Sequence, residues 1–167
     1  MTRPDTLPAR VFEFAARHPH KTALRRKRLG VWQEISWQSY AHSVAAAARA
    51  MWELGVRAGD NVAILADNRP EWLFADLGAQ TIGARSVGIY QTNPPADVAY
   101  ILNDSQTKIL FLADQEQVDK AIACGDTTPS VTHWVVFDPR GTRFLNESRL
   151  VSWDAFRARG SDLLAHD

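Results

Sequence analysis

Few side chains in this chain stand where chemistry could use them. The most suggestive are Tyr90, Gln91, Thr92 and Asn93, which follow the apolar run Val87–Ile89. They offer one aromatic ring and several hydrogen-bonding groups, and in open α/β sheets ligands bind beyond the carboxyl ends of strands. A second cluster, Asp67-Asn68-Arg69-Pro70-Glu71-Trp72, follows the preceding apolar run in the same way. Tyr90, Thr92 and Asn68 are therefore the candidate pocket residues. The simpler account of the second cluster is local: Asn68 caps a helix, Arg69 pairs with a carboxylate and Trp72 fills core.

Other chemistries find less support. The histidines are His18, His20, His42, His133 and His166, and none has a cysteine or carboxylate at ligand spacing. Cys124 is the only cysteine. It excludes an intrachain disulfide, fits a reducing compartment, and has no basic neighbour in sequence to activate it. Asp97 and Asp104 lie seven residues apart on one expected helix and make no acid/base couple. No Gly-x-Ser-x-Gly elbow occurs, nor a Walker loop or a G-x-G-x-x-G fingerprint. Gly78, Gly83 and Gly88 suit close packing better than phosphate binding.

The elements that must position these residues are legible from periodicity. Leu7 to Arg17 reads as a helix with Pro8 in its first turn. Thr22–Arg28 and Val31–Ile35 read as a hairpin around Leu29-Gly30. Ser36 caps a long amphipathic helix carrying Trp37, Tyr40, Ala41, Val44, Ala48, Met51 and Trp52, which Gly55 stops. Asn61–Ala66 is apolar enough for a strand buried on both faces. Strands at Arg85–Tyr90, Lys108–Ala113 and Val131–Phe137 then alternate with helices at about Glu71–Ile82, Pro95–Asn103, Asp114–Cys124 and Trp153–Leu164. Asp114 and Gln117 have capping-box spacing, and Ser152 is the last N-cap. Residues 125–130 and 138–149 read as surface loop. The expectation is one α/β domain over residues 1–167: a helix and a hairpin, then a mostly parallel sheet with helices on both faces.

Composition bounds the partners. The 167 residues are 46% hydrophobic and carry no net charge, so there is no global attraction to nucleic acid or to an anionic surface. Residues 1–60 hold ten Lys/Arg against five Asp/Glu, with Arg25-Arg26-Lys27-Arg28 the densest basic spot. That run reads either as a weak membrane or nucleic-acid contact or, more simply, as the wet face of a hairpin strand. No apolar run reaches the ~20 residues of a membrane span, and the first residues lack a signal-peptide core. The expected location is cytoplasmic, with at most peripheral membrane contact.

Several segments together carry a resemblance: Gly55-Val56-Arg57-Ala58-Gly59-Asp60, Asp67-Asn68-Arg69-Pro70-Glu71-Trp72, Gly88-Ile89-Tyr90-Gln91-Thr92 and Ala99-Tyr100-Ile101-Leu102-Asn103-Asp104-Ser105. In this order and spacing they resemble the amino-terminal part of AMP-forming long-chain acyl-CoA synthetases, in the adenylate-forming superfamily. The resemblance covers roughly Ala9 to Lys120. It implies the scaffold portion of that family's large amino-terminal domain, whose parent enzyme uses ATP, Mg and CoA to convert a fatty acid to its CoA thioester. Partners follow: the remainder of the ligase, the fatty acid, and in some members a second subunit. The family's Ser/Thr/Gly-rich phosphate loop lies downstream of Asp167, so the chain alone is expected to be catalytically silent. At Asn93-Pro94-Pro95 the sequence departs from the small hydroxyl residues common in relatives. Two other readings stay open: a short non-catalytic protein for dimerisation or acyl binding, and an unrelated flavodoxin-like nucleotide binder.

Overall fold

The computed structural model describes residues 5–166. Its elements are α1 (Leu7–Arg17), β1 (Thr22–Arg28), β2 (Val31–Ser36), α2 (Trp37–Glu53), β3 (Asn61–Leu65), α3 (Pro70–Thr81) and β4 (Arg85–Ile89). They continue with α4 (Pro95–Asp104), β5 (Thr107–Leu112), α5 (Gln115–Cys124), β6 (His133–Val136), β7 (Leu150–Ser152) and α6 (Trp153–His166). Strands β1 and β2 pair as an antiparallel hairpin, and the other five form a parallel sheet in the order β4-β3-β5-β6-β7.

The apolar runs explain why this sheet is covered on both sides. Side chains along a strand alternate between faces. Val62 and Ile64 of β3, with Ile109 and Phe111 of β5, pack under α1, α2, α3 and α6. Ala63 and Leu65, with Leu110 and Leu112, pack under α4 and α5. A strand with apolar residues at every position satisfies both layers at once.

Helix ends follow short-range chemistry. The Ser36 hydroxyl accepts from Ser39 N at 3.2 Å and opens α2, while Pro95 begins α4. Asp114 Oδ1 accepts from Gln117 N at 3.3 Å, but the return half of the capping box is not made: the buried Gln117 Oε1 has no partner among the described residues. Ser152 ends β7 and also accepts from Ala155 N at 3.3 Å, so one residue closes a strand and caps α6.

Three expectations need correction. Asn68 does not cap α3; Arg69 occupies that position with extended backbone and makes no side-chain cap bond. Strand β4 ends at Ile89, which leaves Tyr90 in the following turn. The segment read as loop, 138–149, contains a 3-10 turn at Thr142–Phe144, and it leads directly into a strand that no expectation covered, β7, which pairs with β6.

Helix α2 lies at the centre of one layer because its small residues let neighbours approach. A Cβ on Gly78 of α3 would stand 2.9 Å from the Ala47 Cβ, and one on Gly160 of α6 would stand 2.0 Å from the Ala46 carbonyl oxygen. Close packing is thus the role of Gly78.

The hairpin is tied to this body by its inner face. Leu24 and Ile35 pack against the core, and Arg26 Nη1 donates to Glu71 Oε1 at 2.8 Å, at the head of α3. Its two-residue turn has positive φ at both Leu29 (49°) and Gly30 (81°). A type I′ hairpin turn requires this, and it suits glycine and asparagine far better than leucine.

Candidate functional site

The crossovers that leave β3 and its neighbour β5 pass to opposite faces of the sheet, α3 to one side and α5 to the other. The carboxyl ends of β3 and β5 part there, at the position where open α/β sheets hold ligands. In this chain one side chain spans that point. Arg69 Nε donates to Asp67 Oδ1 at 2.7 Å, and Arg69 Nη1 donates to the Ala113 carbonyl at 3.0 Å. Its guanidinium also lies 5.8 Å from the centre of the Phe137 ring. Arg69 thus joins the ends of β3, β5 and β6.

Outside this brace, between the hairpin and the strand ends, lies an open groove of about 980 Å³. The hairpin supplies Arg26, Arg28 and Trp32, the loop after β3 supplies Asn68, the first turn of α3 supplies Trp72, and the segment after β6 supplies Asp138 and Arg140. Trp153 forms part of its floor, with its ring 5.4 Å from Phe137 in an edge-on contact.

The groove is charged: ion pairs neutralise most of its side chains, while Lys27 and Arg28 on its hairpin rim have no ion-pair partner among the described residues. Arg26 meets Glu71, Arg69 meets Asp67, and Arg140 Nε donates to both Asp138 oxygens at 2.9 Å. The Arg140 hydrogen bond holds the Asp138 carboxyl below the usual carboxylate range, against an opposing desolvation, and Arg69 adds to the lowering. Carboxylates so held are poor proton acceptors and poor nucleophiles. The groove can bind through Trp32, Trp72 and the Asn68 amide. Among the described residues it presents no activated acid, base or nucleophile.

The structure separates the three candidate residues. Asn68 lines the groove and is exposed. Tyr90, 81% exposed, and the exposed Thr92 do not line it; they follow β4 at the sheet edge. Their turn is anchored elsewhere: Lys120 Nζ donates to the Gln91 carbonyl, and Cys124 Sγ to the Pro95 carbonyl at 3.3 Å. Burial raises the Cys124 thiol pKa, which opposes reactivity. Asp138, Arg140, Trp153 and the hairpin residues of the groove escaped sequence reasoning. The one available signal was that Asp138 follows its strand as Asp67 follows β3.

The residues present do not form a site for ATP or magnesium. The loops after β3 and β4 hold no glycine, so none presents the open backbone amides that cradle phosphates. Of the groove's acidic side chains, Asp67, Glu71 and Asp138 already carry an arginine, and no group of three or more possible metal ligands occurs among the described residues.

With this geometry in hand, comparison with known proteins is decisive at the family level. The AMP-binding enzyme family matches residues 11–160.

The chain belongs to that family.

Among curated relatives, the uncharacterized protein Rv1549 of Mycobacterium tuberculosis is 35% identical over 74% of this chain and 69% of its own length. The long-chain-fatty-acid–CoA ligase FadD15 of Mycobacterium bovis is 31% identical over 76% of this chain but 21% of its own. The ligase ACSBG1 of Bos taurus is 34% identical over 70% of this chain and 16% of its own. The chain therefore spans about a fifth of the ligases that it matches. Solved structures give the same fold. The A-PCP didomain of a carboxylic acid reductase from Segniliparus rugosus superposes with TM-score 0.81 at 19% identity, over 96% of this chain and 27% of that one. The anthranilate CoA ligase AuaEII superposes with TM-score 0.77 at 22% identity, over 90% of this chain and 26% of that one. For this AMP-binding family member, the expected α/β scaffold with a parallel sheet and flanking helices is what the structure contains.

Proposed function

We propose that this chain is the amino-terminal scaffold of an ATP-dependent long-chain fatty acid–CoA ligase. The parent reaction joins fatty acid, ATP and CoA to give acyl-CoA, AMP and pyrophosphate. The observation that carries the reading is the alignment with proteins named long-chain-fatty-acid–CoA ligase, along 21% and 16% of their lengths. The scaffold's part would be to hold the strand ends rigid through Arg69 and to present the groove and the Tyr90–Thr92 turn to the rest of the enzyme. ATP, Mg and CoA would be held by that remainder, with which the scaffold and the fatty acid are partners. A homodimer and a cytoplasmic or membrane-peripheral location belong to the same proposal.

The test is to read the gene past the codon for Asp167 and to assay both products. A Ser/Thr/Gly-rich loop within a few tens of codons, pyrophosphate release from ATP and palmitate by the longer product, and none by residues 1–167, would support the ligase scaffold. Pyrophosphate release by residues 1–167 alone would overturn it.

A second reading has its own observation. Rv1549 aligns along 69% of its length, so it is a chain of this size class rather than a full ligase. On that reading the domain serves dimerisation or acyl binding without catalysis. A stop codon directly after Asp167, with a self-associating or fatty-acid-binding product, favours it. The strand order is also one that flavodoxin-like sheets use. Membership of the AMP-binding enzyme family nevertheless sets aside the reading of an unrelated flavodoxin-like nucleotide binder.

A further inference from the structure

The hairpin tip sets three large apolar side chains in water beside positive charge that has no ion-pair partner among the described residues. Leu29 is 95% exposed, Val31 65% and Trp32 63%. Leucine also holds a positive φ there, in a turn position where glycine or asparagine is favoured, and it gains no burial in return. An outlier retained without a packing reward points to a use outside the fold.

The charges behind the tip are arranged to match. Residues 21–36 carry five basic side chains and one acidic side chain in a protein of zero net charge. Arg25 is held by Glu34 and Arg26 by Glu71. Lys27 and Arg28 are exposed and have no ion-pair partner among the described residues. Lys27 is the cross-strand partner of Trp32, and Arg28 of Val31, so each free cation stands beside an exposed apolar residue.

We propose that the hairpin tip docks on an anionic lipid surface. Leu29, Val31 and Trp32 enter the headgroup boundary, and Lys27 and Arg28 meet the lipid phosphates and carboxylates. The spacing suits this. Two residues of strand place Lys27 roughly 7 Å behind Leu29, against the ~5–10 Å depth to which interfacial segments bury apolar groups. Tryptophan prefers this boundary, and long basic side chains reach from it to the headgroups. Nucleic acid would use the cations but has no use for Leu29 and Val31 at the leading edge. A second copy would set the same cations against each other. The proposal does not depend on the ligase reading.

The test is sedimentation of the 167-residue chain with phosphatidylcholine vesicles, with and without phosphatidylserine. Binding is expected only with phosphatidylserine, weakening as salt rises. Lys27→Gln and Arg28→Gln should each weaken it roughly fivefold. Leu29→Ser should weaken it without changing its salt dependence. Quenching of tryptophan fluorescence by brominated lipid should be lost in Trp32→Phe. All four positions lie outside the core, so an unchanged melting temperature certifies the fold. Equal binding to both vesicle types, no binding, unaltered binding by the Lys27→Gln/Arg28→Gln pair, or displacement of the chain from vesicles by single-stranded RNA would overturn the proposal.

Discussion

Arg69 donates from Nη1 to the Ala113 carbonyl, 3.0 Å away, and so ties the loop after β3 to the end of β5. The Ala113 carbonyl also accepts from Asp138 N at 3.0 Å, so it is not orphaned when Arg69 is lost. Asp67 is exposed and regains water. Arg69→Met, which keeps the aliphatic stem, should therefore cost about 1.5–3 kcal/mol, the range for a hydrogen bond to a charged group. A lower urea midpoint at unchanged slope is the expected readout. An unshifted midpoint would mean that the strand ends hold together without the brace.

Gly160→Ala should be far more damaging than its size suggests. The new methyl would meet the Ala46 carbonyl oxygen at 2.0 Å, and backbone cannot swing aside as a side chain can. Either α6 moves off α2 or the helix distorts. A loss at or above the upper end of the ~1–3 kcal/mol typical of overpacking is expected. Thermal melting by circular dichroism checks it. Gly78→Ala offers a milder comparison, because its methyl would press on the Ala47 side chain at 2.9 Å and on the Ala48 nitrogen at 3.1 Å.

What the sequence makes legible here is whatever is local. The Ser36 cap, the Pro95 helix start, the Asp114 cap and the two-face burial of Asn61–Leu65 each depend on residues within a turn or a strand. Strand β7 is three residues long and carries no period to detect, so it is recognisable only by its pairing with β6. The groove is less legible still. It sets Arg26 and Trp32 beside Asp138 and Arg140, more than a hundred residues later, and no spacing in the chain encodes that approach. Asn68 lies in the loop that leaves the end of β3, a placement that the apolar run before it makes legible. Its expected capping role was wrong because Arg69, one residue on, is where the backbone turns into α3.

Acid should destabilise the fold through carboxylates held below their ordinary values: Asp60 and Asp138, with Glu34 and Glu147. Asp60 is lowered chiefly by its hydrogen bond from Lys108 at 2.7 Å, and Asp138 chiefly by Arg140. A carboxylate whose folded pKa lies below its unfolded value stabilises the native state above the unfolded value, ~3.9 for aspartate. That contribution is lost as pH falls through the lower, folded value. Stability should thus be level near neutrality and decline below about pH 4. Asp60→Asn should remove part of that decline while lowering stability at neutral pH. An identical acid limb in wild type and Asp60→Asn would refute the role of this pair.

At the alkaline end the relevant group is Tyr40. Burial, with a smaller push from Asp76, raises its phenol to about 12. The ring is buried between Trp37 and Phe74, with centroids 5.9 and 5.4 Å away. A folded pKa above the unfolded value of ~10 means that the stabilisation is complete below pH ~10 and fades as pH rises toward the folded value. Tyr40→Phe should abolish that fade and remove the last phase of phenolate absorbance in an alkaline titration. A Tyr40→Phe titration that keeps its latest phase would assign that phase to another tyrosine.

Leu29 offers the converse experiment, a substitution that should stabilise. Its φ of 49° brings the Cβ close to the following carbonyl, a strain of roughly 1–2 kcal/mol for an ordinary residue in the left-handed region. Asparagine tolerates that region, and with Leu29 95% exposed no buried contact is lost in the exchange. Leu29→Asn should therefore raise stability, by up to about 1 kcal/mol, seen as a higher urea midpoint. Leu29→Val should do the reverse, because a branched Cβ sharpens the same clash. If the two variants match wild type, the turn relaxes out of the left-handed region and the leucine carries no conformational cost. If they part as expected, the chain holds a less stable hairpin than one substitution could give it, and the exposed leucine is retained at the expense of the fold.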